Sequence, residues 1–135
     1  MTQGRLPRGL LDTCAVIDLP DIDPARLPLE IAVPSVVLAE LAQGVAMAKD
    51  PVVMMERAQR LSDVEAEFDA IPFGREAARR FGTIVALILK AGRDPRPRKM
   101  DLLIAAIAAA EDLPLFTRNT DDFKGLDSLV RIMTV

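Results

Sequence analysis

Short apolar runs alternate along the chain with longer segments in which apolar residues recur at helical spacing. The short runs are predicted strands and cover residues 10–12, 31–33, 68–73, 115–117 and 129–133. The longer segments are predicted helices and cover residues 35–48, 51–67, 75–91 and 101–111. Strands that alternate with helices pair in parallel, in a sheet covered by helices on both faces. The pattern therefore predicts an α/β fold, a three-layer α/β/α sandwich with a central parallel sheet.

Local signals mark the ends of several predicted helices. Thr13 and Ser35 are expected to cap the helices that follow the first two strands. Gly92 is expected to end the helix over residues 75–91, because glycine adopts the left-handed conformation common at helix ends. Residues 101–111 are almost entirely apolar, so this helix is expected to be buried on all sides.

The chain has 135 residues, half of them hydrophobic, which fits one folded domain and excludes a disordered protein. We predict an N-terminal tail at residues 1–7 and a single domain over residues 8–135. The first residues lack the apolar segment of a signal peptide, and no apolar stretch reaches the roughly 20 residues of a membrane-spanning helix. The single cysteine, Cys14, forms no internal disulfide and is expected to be a small buried hydrophobic residue. These features predict a cytoplasmic protein that makes no contact with a membrane.

Four acidic residues sit beside apolar segments that lie far apart in sequence: Asp12, Glu40, Asp101 and Asp122. Burial of a carboxylate without a partner is costly, so acids in these positions need a physical reason. The chain has no histidine, which is the commonest general base, and one cysteine cannot form a thiolate metal cage. Several carboxylates together are well suited to bind a hard divalent cation such as Mg²⁺ or Mn²⁺.

The predicted fold can bring these four acids to one edge of the sheet. In open parallel sheets the ligand crevice lies at the carboxyl ends of the strands. Asp12 ends the first predicted strand, and Asp122 follows the fourth by a few residues. Asp101 opens a helix, and Glu40 lies on the inward-leaning side of another. Since two carboxylates about 5 Å apart repel by roughly 3 kcal/mol, such a cluster destabilises the fold unless a cation binds.

Each acid also has an ordinary structural explanation. Asp12 and Asp101 could each cap a helix, and Glu40 could be a partly exposed helix residue. Asn119 and Asp122 lie in one polar turn, where Asn and Asp are common. Each signal alone is weak, and their coincidence on one predicted edge favours a metal site.

Positive charge is concentrated immediately before Asp101. Four basic residues occur in the proline-containing segment 92–99: Arg93, Arg96, Arg98 and Lys99. A basic segment beside an acidic metal site suits a phosphate backbone that approaches the metal. The alternative is a solvated connector, which its prolines are expected to keep extended. The net charge of −3 argues only mildly against nucleic acid, because the four acids alone contribute −4.

Four sequence blocks follow one another from about residue 9 to the end of the chain: Leu10 to Thr13, Ser35 to Gly44, Asp101 to Ala106, and Thr117 to Phe123. Together they resemble the PIN-domain ribonucleases, and in particular the VapC toxins of bacterial toxin–antitoxin pairs. The resemblance implies an Mg²⁺- or Mn²⁺-dependent endoribonuclease that forms a homodimer. It also implies that a small cognate antitoxin holds the enzyme inactive.

The resemblance carries the catalytic and metal-binding roles over to Asp12, Glu40, Asp101 and Asp122. Asp122 matches the acid that precedes Phe in the family's last motif. Asn119 occupies a position that is acidic in some members, so the fourth site residue stays open between these two. Thr13 and Thr117 are implied as supporting polar residues near the metal.

In this interpretation a metal-activated water cleaves the RNA, and basic residues grip its phosphates: Arg93, Arg96, Arg98, Lys99 and Arg118. A phosphate-accepting receiver domain would need an aspartate at the end of the third strand, where residues 70–73 offer none. The remaining alternative is a catalytically inert PIN-like module that acts by binding an antitoxin and operator DNA. Metal-dependent RNA cleavage that is lost in Asp12→Asn would exclude that alternative.

Overall fold

The computed structural model describes residues 4–135, whose centre is a parallel sheet with the strand order β3-β2-β1-β4-β5. The strands are β1 (Arg8–Leu11), β2 (Glu30–Pro34), β3 (Ala70–Ile71), β4 (Leu115–Thr117) and β5 (Ile132–Thr134). The helices are α1 (Thr13–Ile17), α2 (Ser35–Ala46), α3 (Pro51–Glu67), α4 (Arg75–Lys90) and α5 (Lys99–Glu111). All four strand pairings are parallel, and helices flank the sheet. The predicted α/β fold with a central parallel sheet is confirmed.

Most element boundaries lie close to the predicted ones, and α3 and β4 have the predicted limits. β5 begins three residues later than predicted, because the Leu126 carbonyl accepts hydrogen bonds from the amides of Leu129 and Val130 and holds this stretch in a turn. β3 has only two residues and lies at the edge of the sheet, where it pairs with β2 alone.

The segment before α5 is not extended, so that prediction is wrong. Arg96–Arg98 form one turn of 3-10 helix that runs directly into α5 at Lys99. Pro95 has φ −73° and ψ −19°, and the fixed φ of proline suits the first turn of a helix. The prolines therefore start a helix here, and Asp101 lies inside the first turn of α5 instead of opening it.

α5 is the most buried helix of the fold, as its apolar sequence predicts. Its buried residues are Leu102, Ile104, Ala105, Ala106, Ile107 and Ala108. Three of these six are alanines, and α5 packs against α4 and α2. The helix ends at Asp112, which adopts the left-handed conformation with φ 54°.

Only part of the predicted N-terminal tail can be described, since residues 1–3 lie outside the described range. Arg5 donates from its guanidinium to the carbonyls of Leu27 and Pro28, at 3.0 and 3.1 Å. These bonds attach the chain just before β1 to the segment that leads into β2. Within residues 4–135, no helix combines the length and the apolar character needed to cross a membrane.

Gly9 in β1 allows a close approach to β4 that positions the functional site. A Cβ at Gly9 would lie 2.3 Å from a ring carbon of Phe116, so a larger residue would displace that ring. With Gly9 in place, β1 pairs with β4 in a register that sets Leu11 opposite Phe116. Asp12 and Thr117, the next positions of the two strands, therefore emerge side by side at the carboxyl edge of the sheet.

Candidate functional site

Asp12 is buried, and each of its two carboxylate oxygens accepts a hydrogen bond. Its Oδ1 accepts a hydrogen bond from the amide of Ala15 at 3.0 Å, so Asp12, and not Thr13 as predicted, caps α1. Its Oδ2 accepts a hydrogen bond from the hydroxyl of Thr117 at 2.5 Å. The helix cap that the sequence offered as one explanation of Asp12 is therefore present and uses one carboxylate oxygen, and the predicted role of Asp12 as a site residue stays a prediction.

Glu40 reaches the site from α2, where it is half-buried. Its Oε1 accepts a hydrogen bond from the hydroxyl of Thr13, in the first turn of α1. Thr13 therefore lies beside Glu40, and its supporting role at the site stays a prediction. Ser35, the predicted cap of α2, is the first residue of that helix, and Pro34 precedes it without a side-chain bond.

Asp101 is the one acid of the four whose carboxylate receives no hydrogen bond or ion pair from residues 4–135. It is half-buried in the first turn of α5. Burial raises its pKa to about 6, and the charges of Asp122, Glu40 and Asp12 act in the same direction against Arg98. A carboxylate that is crowded by like charges and has free lone pairs is well prepared to bind a cation.

The fourth acid, Asp122, lies in the Thr120–Phe123 turn that follows β4. Its carboxylate forms an ion pair with Arg98 at 3.7 Å, and it is half-buried. Asn119 is exposed, and its side-chain oxygen accepts a hydrogen bond from the Asp121 amide, which caps the turn. Asn119 therefore supports the turn, while Asp122 acts electrostatically on Asp101 and Asp12.

The charges of the four acids act on Asp12 and Asp101, but within residues 4–135 the acids do not form a complete set of metal ligands. Burial raises the pKa of Asp12, the bonds from Thr117 and Ala15 oppose that rise, and the charges of Asp122 and Glu40 add to it. Within residues 4–135, no three acidic side chains converge closely enough to surround a metal ion by themselves. The donors are all carboxylate oxygens, which suit Mg²⁺, an ion that keeps several of its water ligands and needs few protein ligands.

The five predicted RNA-binding residues have different surroundings: Arg93, Arg96, Arg98, Lys99 and Arg118. Arg96 is exposed and pairs with Asp94 at 2.9 Å, and Arg118 pairs with Asp18 at 3.5 Å. Lys99 is exposed and forms no ion pair within residues 4–135. Arg93 and Arg98 instead face the Thr120–Phe123 turn, through Asp121 and Asp122. Only part of the basic segment is thus free to meet a ligand.

Cys14 is exposed, which contradicts its predicted role as a buried hydrophobic residue. The reason is its position on α1: the neighbouring residues Ala15 and Val16 supply the buried face of that short helix. Although the residue is exposed, partial desolvation of its sulfur, followed by the charges of Asp12 and Asp101, raises the pKa of the Cys14 thiol. Cys14 therefore lies close enough to the acids to sense their charge.

Comparisons with known proteins show which family the chain belongs to. The model of the PIN domain matches residues 10–129. Ribonuclease VapC5 of Mycobacterium tuberculosis is 36% identical over 129 residues, which cover 92% of this chain and 91% of that protein. The crystal structure of VapBC-5 from Mycobacterium tuberculosis, a member of the VapBC family of toxin–antitoxin systems, contains a chain that is 33% identical, with a TM-score of 0.82 and coverage of 96% and 98%.

A more distant relative has the same fold. VapBC2 from Rickettsia felis, solved bound to a DNA fragment from their promoter, contains a chain that is 22% identical, with a TM-score of 0.74 and coverage of 95% and 98%. The family match spans most of the chain, and the sequence identity to VapC5 extends over nearly all of it. The chain therefore belongs to the PIN-domain family and is a VapC-type member of it.

Proposed function

We propose that this protein is a metal-dependent endoribonuclease that acts as the toxin of a toxin–antitoxin pair and is neutralised by a cognate antitoxin. The relative VapC5 is named a ribonuclease, and the VapBC family is named for toxin–antitoxin systems. The observation that carries the proposal for this chain is the free carboxylate of Asp101, set among the charges of three further acids.

The four acids divide into two roles. Asp12 and Asp101 would hold the ion, Mg²⁺ or Mn²⁺, because one is rigidly oriented and the other has free lone pairs. Glu40 and Asp122 would orient its water ligands and complete the charge balance. When bound, the ion supplies charge stabilisation to the scissile phosphate and lowers the pKa of the attacking water. No side chain of the site needs to act as a nucleophile.

RNA would approach over the basic residues beside the acids. Arg96 and Lys99 are exposed at the start of α5, two to five residues before Asp101, and Arg118 follows β4 at the same edge of the sheet. Their charges would offset the repulsion between the acids and the phosphates of the substrate. Without its four site acids the chain would have a net charge of +1, which agrees with this division of charge.

The antitoxin would have an apolar surface to bind. A groove of about 660 Å³ runs between α3 and the end of α1, and its apolar lining includes Ile17, Leu19, Val64 and Phe68. Three acidic residues line it as well: Glu56, Asp63 and Glu67. This combination suits an amphipathic helix with basic residues along its edge.

A homodimer and a cytoplasmic location, which the sequence predicts, are part of the same proposal.

Cleavage of RNA by purified, chelator-treated protein tests the proposal. Total bacterial RNA should be cleaved after Mg²⁺ or Mn²⁺ is added, and cleavage should fall to background in Asp12→Asn and Asp101→Asn. Asp69→Asn is the matched control, because Asp69 is an exposed acid at the amino end of β3, away from the site. Cleavage by the two site variants at the rate of the control would disprove this assignment of the site.

A catalytically inert binding module is the second candidate, and the incomplete cage favours it. In that case the wild-type protein would cleave no RNA with either metal, while the antitoxin and operator DNA still bind. A separate titration with Mn²⁺ completes the test. A protein that binds Mn²⁺ and leaves RNA intact has a metal site without catalytic activity, whereas a protein that binds no Mn²⁺ lacks the metal site.

A further inference from the structure

Arg93 occupies a fixed position just beyond the end of α4. Gly92 adopts a left-handed conformation with φ 77°, and its amide donates to the Leu89 carbonyl at 3.0 Å. The Arg93 amide donates to the Ile88 carbonyl, also at 3.0 Å. This pair of bonds is the Schellman arrangement that ends many helices, and it fixes the backbone from which the Arg93 side chain departs.

The Arg93 side chain is directed at the turn that carries Asp122. Its Nη1 donates to the carbonyl of Asp121 at 2.7 Å and lies 3.5 Å from the carbonyl of Lys124. Its Nη2 lies 3.5 Å from Oδ2 of Asp121. The side chain is only 17% exposed, so these contacts replace much of its hydration. Arg93 thus contacts the backbone on both sides of Asp122.

The turn is a single 3-10 turn over Thr120–Phe123, with a hydrogen bond at each of its ends. The Asp122 amide donates to the Asn119 carbonyl at 3.2 Å, and the Lys124 amide to the Asp121 carbonyl at 3.3 Å. Beyond it, Gly125 has φ 98°, and a Cβ there would lie 3.2 Å from the Cβ of Ala91. The turn therefore rests against the end of α4, where the 2.7 Å bond from Arg93 to the Asp121 carbonyl is shorter than either of these two backbone bonds.

We propose that Arg93 is a positioning residue for Asp122: it holds the backbone of the turn so that the Asp122 carboxylate stays beside Asp101 and Asp12. The inference rests on the proposed function, in which Asp122 completes the metal site. It assigns Arg93 a role different from the predicted contact with RNA, since its guanidinium already donates to protein carbonyls. Arginine suits this task because its rigid fork can serve two acceptors at once.

Amide hydrogen exchange in metal-free protein tests the first half of the proposal. Arg93→Ala should accelerate exchange of the Asp122 and Lys124 amides, while amides inside α5 keep their protection. Lys90→Ala is the matched control, because it removes one positive charge from the last turn of α4 and forms no ion pair within residues 4–135. Equal exchange in the Arg93 and Lys90 variants would overturn the proposal.

Metal affinity tests the second half, with Mn²⁺ as the probe in calorimetric titrations. Arg93→Ala should weaken binding by about tenfold, in the range typical of residues that orient a metal ligand. Arg93→Lys should recover part of the loss, because lysine can still donate to the Asp121 carbonyl. In an Asp122→Asn background, Arg93→Ala should have little further effect, since both changes act on metal binding through the Asp122 carboxylate.

The outcomes separate this inference from the proposed function. If Arg93→Ala lowers the Mn²⁺ affinity equally in the wild-type and Asp122→Asn backgrounds, Arg93 does not act through Asp122. If Arg93→Ala leaves the Mn²⁺ affinity unchanged, Arg93 has only a structural role. A wild-type protein that binds no Mn²⁺ would overturn the proposed function. The exchange comparison would then still decide whether Arg93 holds the turn.

Discussion

The hydroxyl of Thr117 donates to Oδ2 of Asp12 at 2.5 Å, and this bond joins two buried residues that lie 105 positions apart in sequence. The same hydroxyl accepts a hydrogen bond from the Asn119 amide at 3.0 Å. Thr117 therefore connects the end of β1 with the loop that follows β4, and it orients one oxygen of the most buried acid.

Replacement of this hydroxyl by a methyl group should weaken the fold and the site together. Thr117→Val keeps the shape but removes a bond to a buried charged group, so we expect the free energy of unfolding to fall by about 2 kcal/mol. The loss of this bond should also raise the pKa of Asp12 further, because the bond opposes the effect of burial. Urea unfolding of metal-free protein measures the change.

Thr134→Val provides the control for that experiment. Thr134 lies in β5 directly opposite Thr117 in the sheet, but it is exposed. We expect its replacement to change the free energy of unfolding by no more than about 0.5 kcal/mol. Equal effects of the two substitutions would show that the bond to Asp12 contributes little.

The pKa of Asp101 predicts how the stability of metal-free protein depends on pH. Its folded-state pKa of about 6 exceeds the ordinary value of 3.8, so the folded protein holds this proton more tightly than the unfolded chain. The stabilisation is fully present below pH 3.8 and is lost as the pH rises through about 6. Because Asp101 is only half-buried, solvent screening limits the expected loss to about 1 kcal/mol.

Asp101→Asn tests this dependence. The variant should be more stable than wild type at pH 7 without metal, and the difference should vanish near pH 4. Added Mg²⁺ should reverse the order at pH 7, because it stabilises only a protein that still has the site. Thermal unfolding of both proteins at both pH values, with and without Mg²⁺, measures these differences in stability. A wild-type protein that is more stable than the variant at pH 7 without metal would refute the prediction.

Much of the fold follows from local sequence. Pro51 and the apolar spacing that follows it determine the limits of α3, and the short apolar run at residues 115–117 determines β4. The convergence of Asp12 with Thr117 is also predictable. Asp12 directly follows β1 and Thr117 is the last residue of β4, and these two strands are neighbours in one parallel sheet. These features depend on periodicity, on helix signals and on a general property of parallel sheets.

The remaining features depend on contacts that no local pattern encodes. Arg93 and Arg98 belong to one basic segment between α4 and α5, yet they pair with Asp121 and Asp122, which lie in the turn after β4. The exposure of Cys14 depends on which side of a five-residue helix meets the core. The position of Arg98 is partly foreseeable, since it lies one helical turn (three positions) before Asp101 at the start of α5.

Cys14 provides a chemical reporter of metal binding. Its pKa is raised by burial and then by the charges of Asp12 and Asp101. A bound cation would offset these charges and lower the pKa of the thiol, so the reactive thiolate becomes more abundant. We expect Mg²⁺ to accelerate alkylation of Cys14 by iodoacetamide at pH 8, and Asp101→Asn to accelerate it without metal. Alkylation that Mg²⁺ leaves unchanged in wild type would place the ion away from Cys14.

The last prediction concerns the exposed cations at the start of α5. Within residues 4–135, Arg96 and Lys99 form no ion pair with the four acids, so their replacement by Ala should leave the metal site intact while it weakens RNA binding. Each phosphate contact to single-stranded RNA contributes about 0.7 to the slope of log affinity against log salt concentration. The double variant should therefore flatten that slope by about 1.4.

Measurements use protein in which Asp12, a proposed metal-binding residue, is changed to Asn, so that bound RNA stays whole during the titration. Arg79→Ala with Arg80→Ala is the matched control, because these two arginines lie on α4 and both pair with Glu76. The control removes the same charge from the chain, so any general effect of net charge appears in both double variants. An equal salt slope in the two would identify Arg96 and Lys99 as parts of a solvated connector. Arg118, which follows β4 and pairs with Asp18, would then be the next residue to replace, because it lies at the same edge of the sheet as the acids.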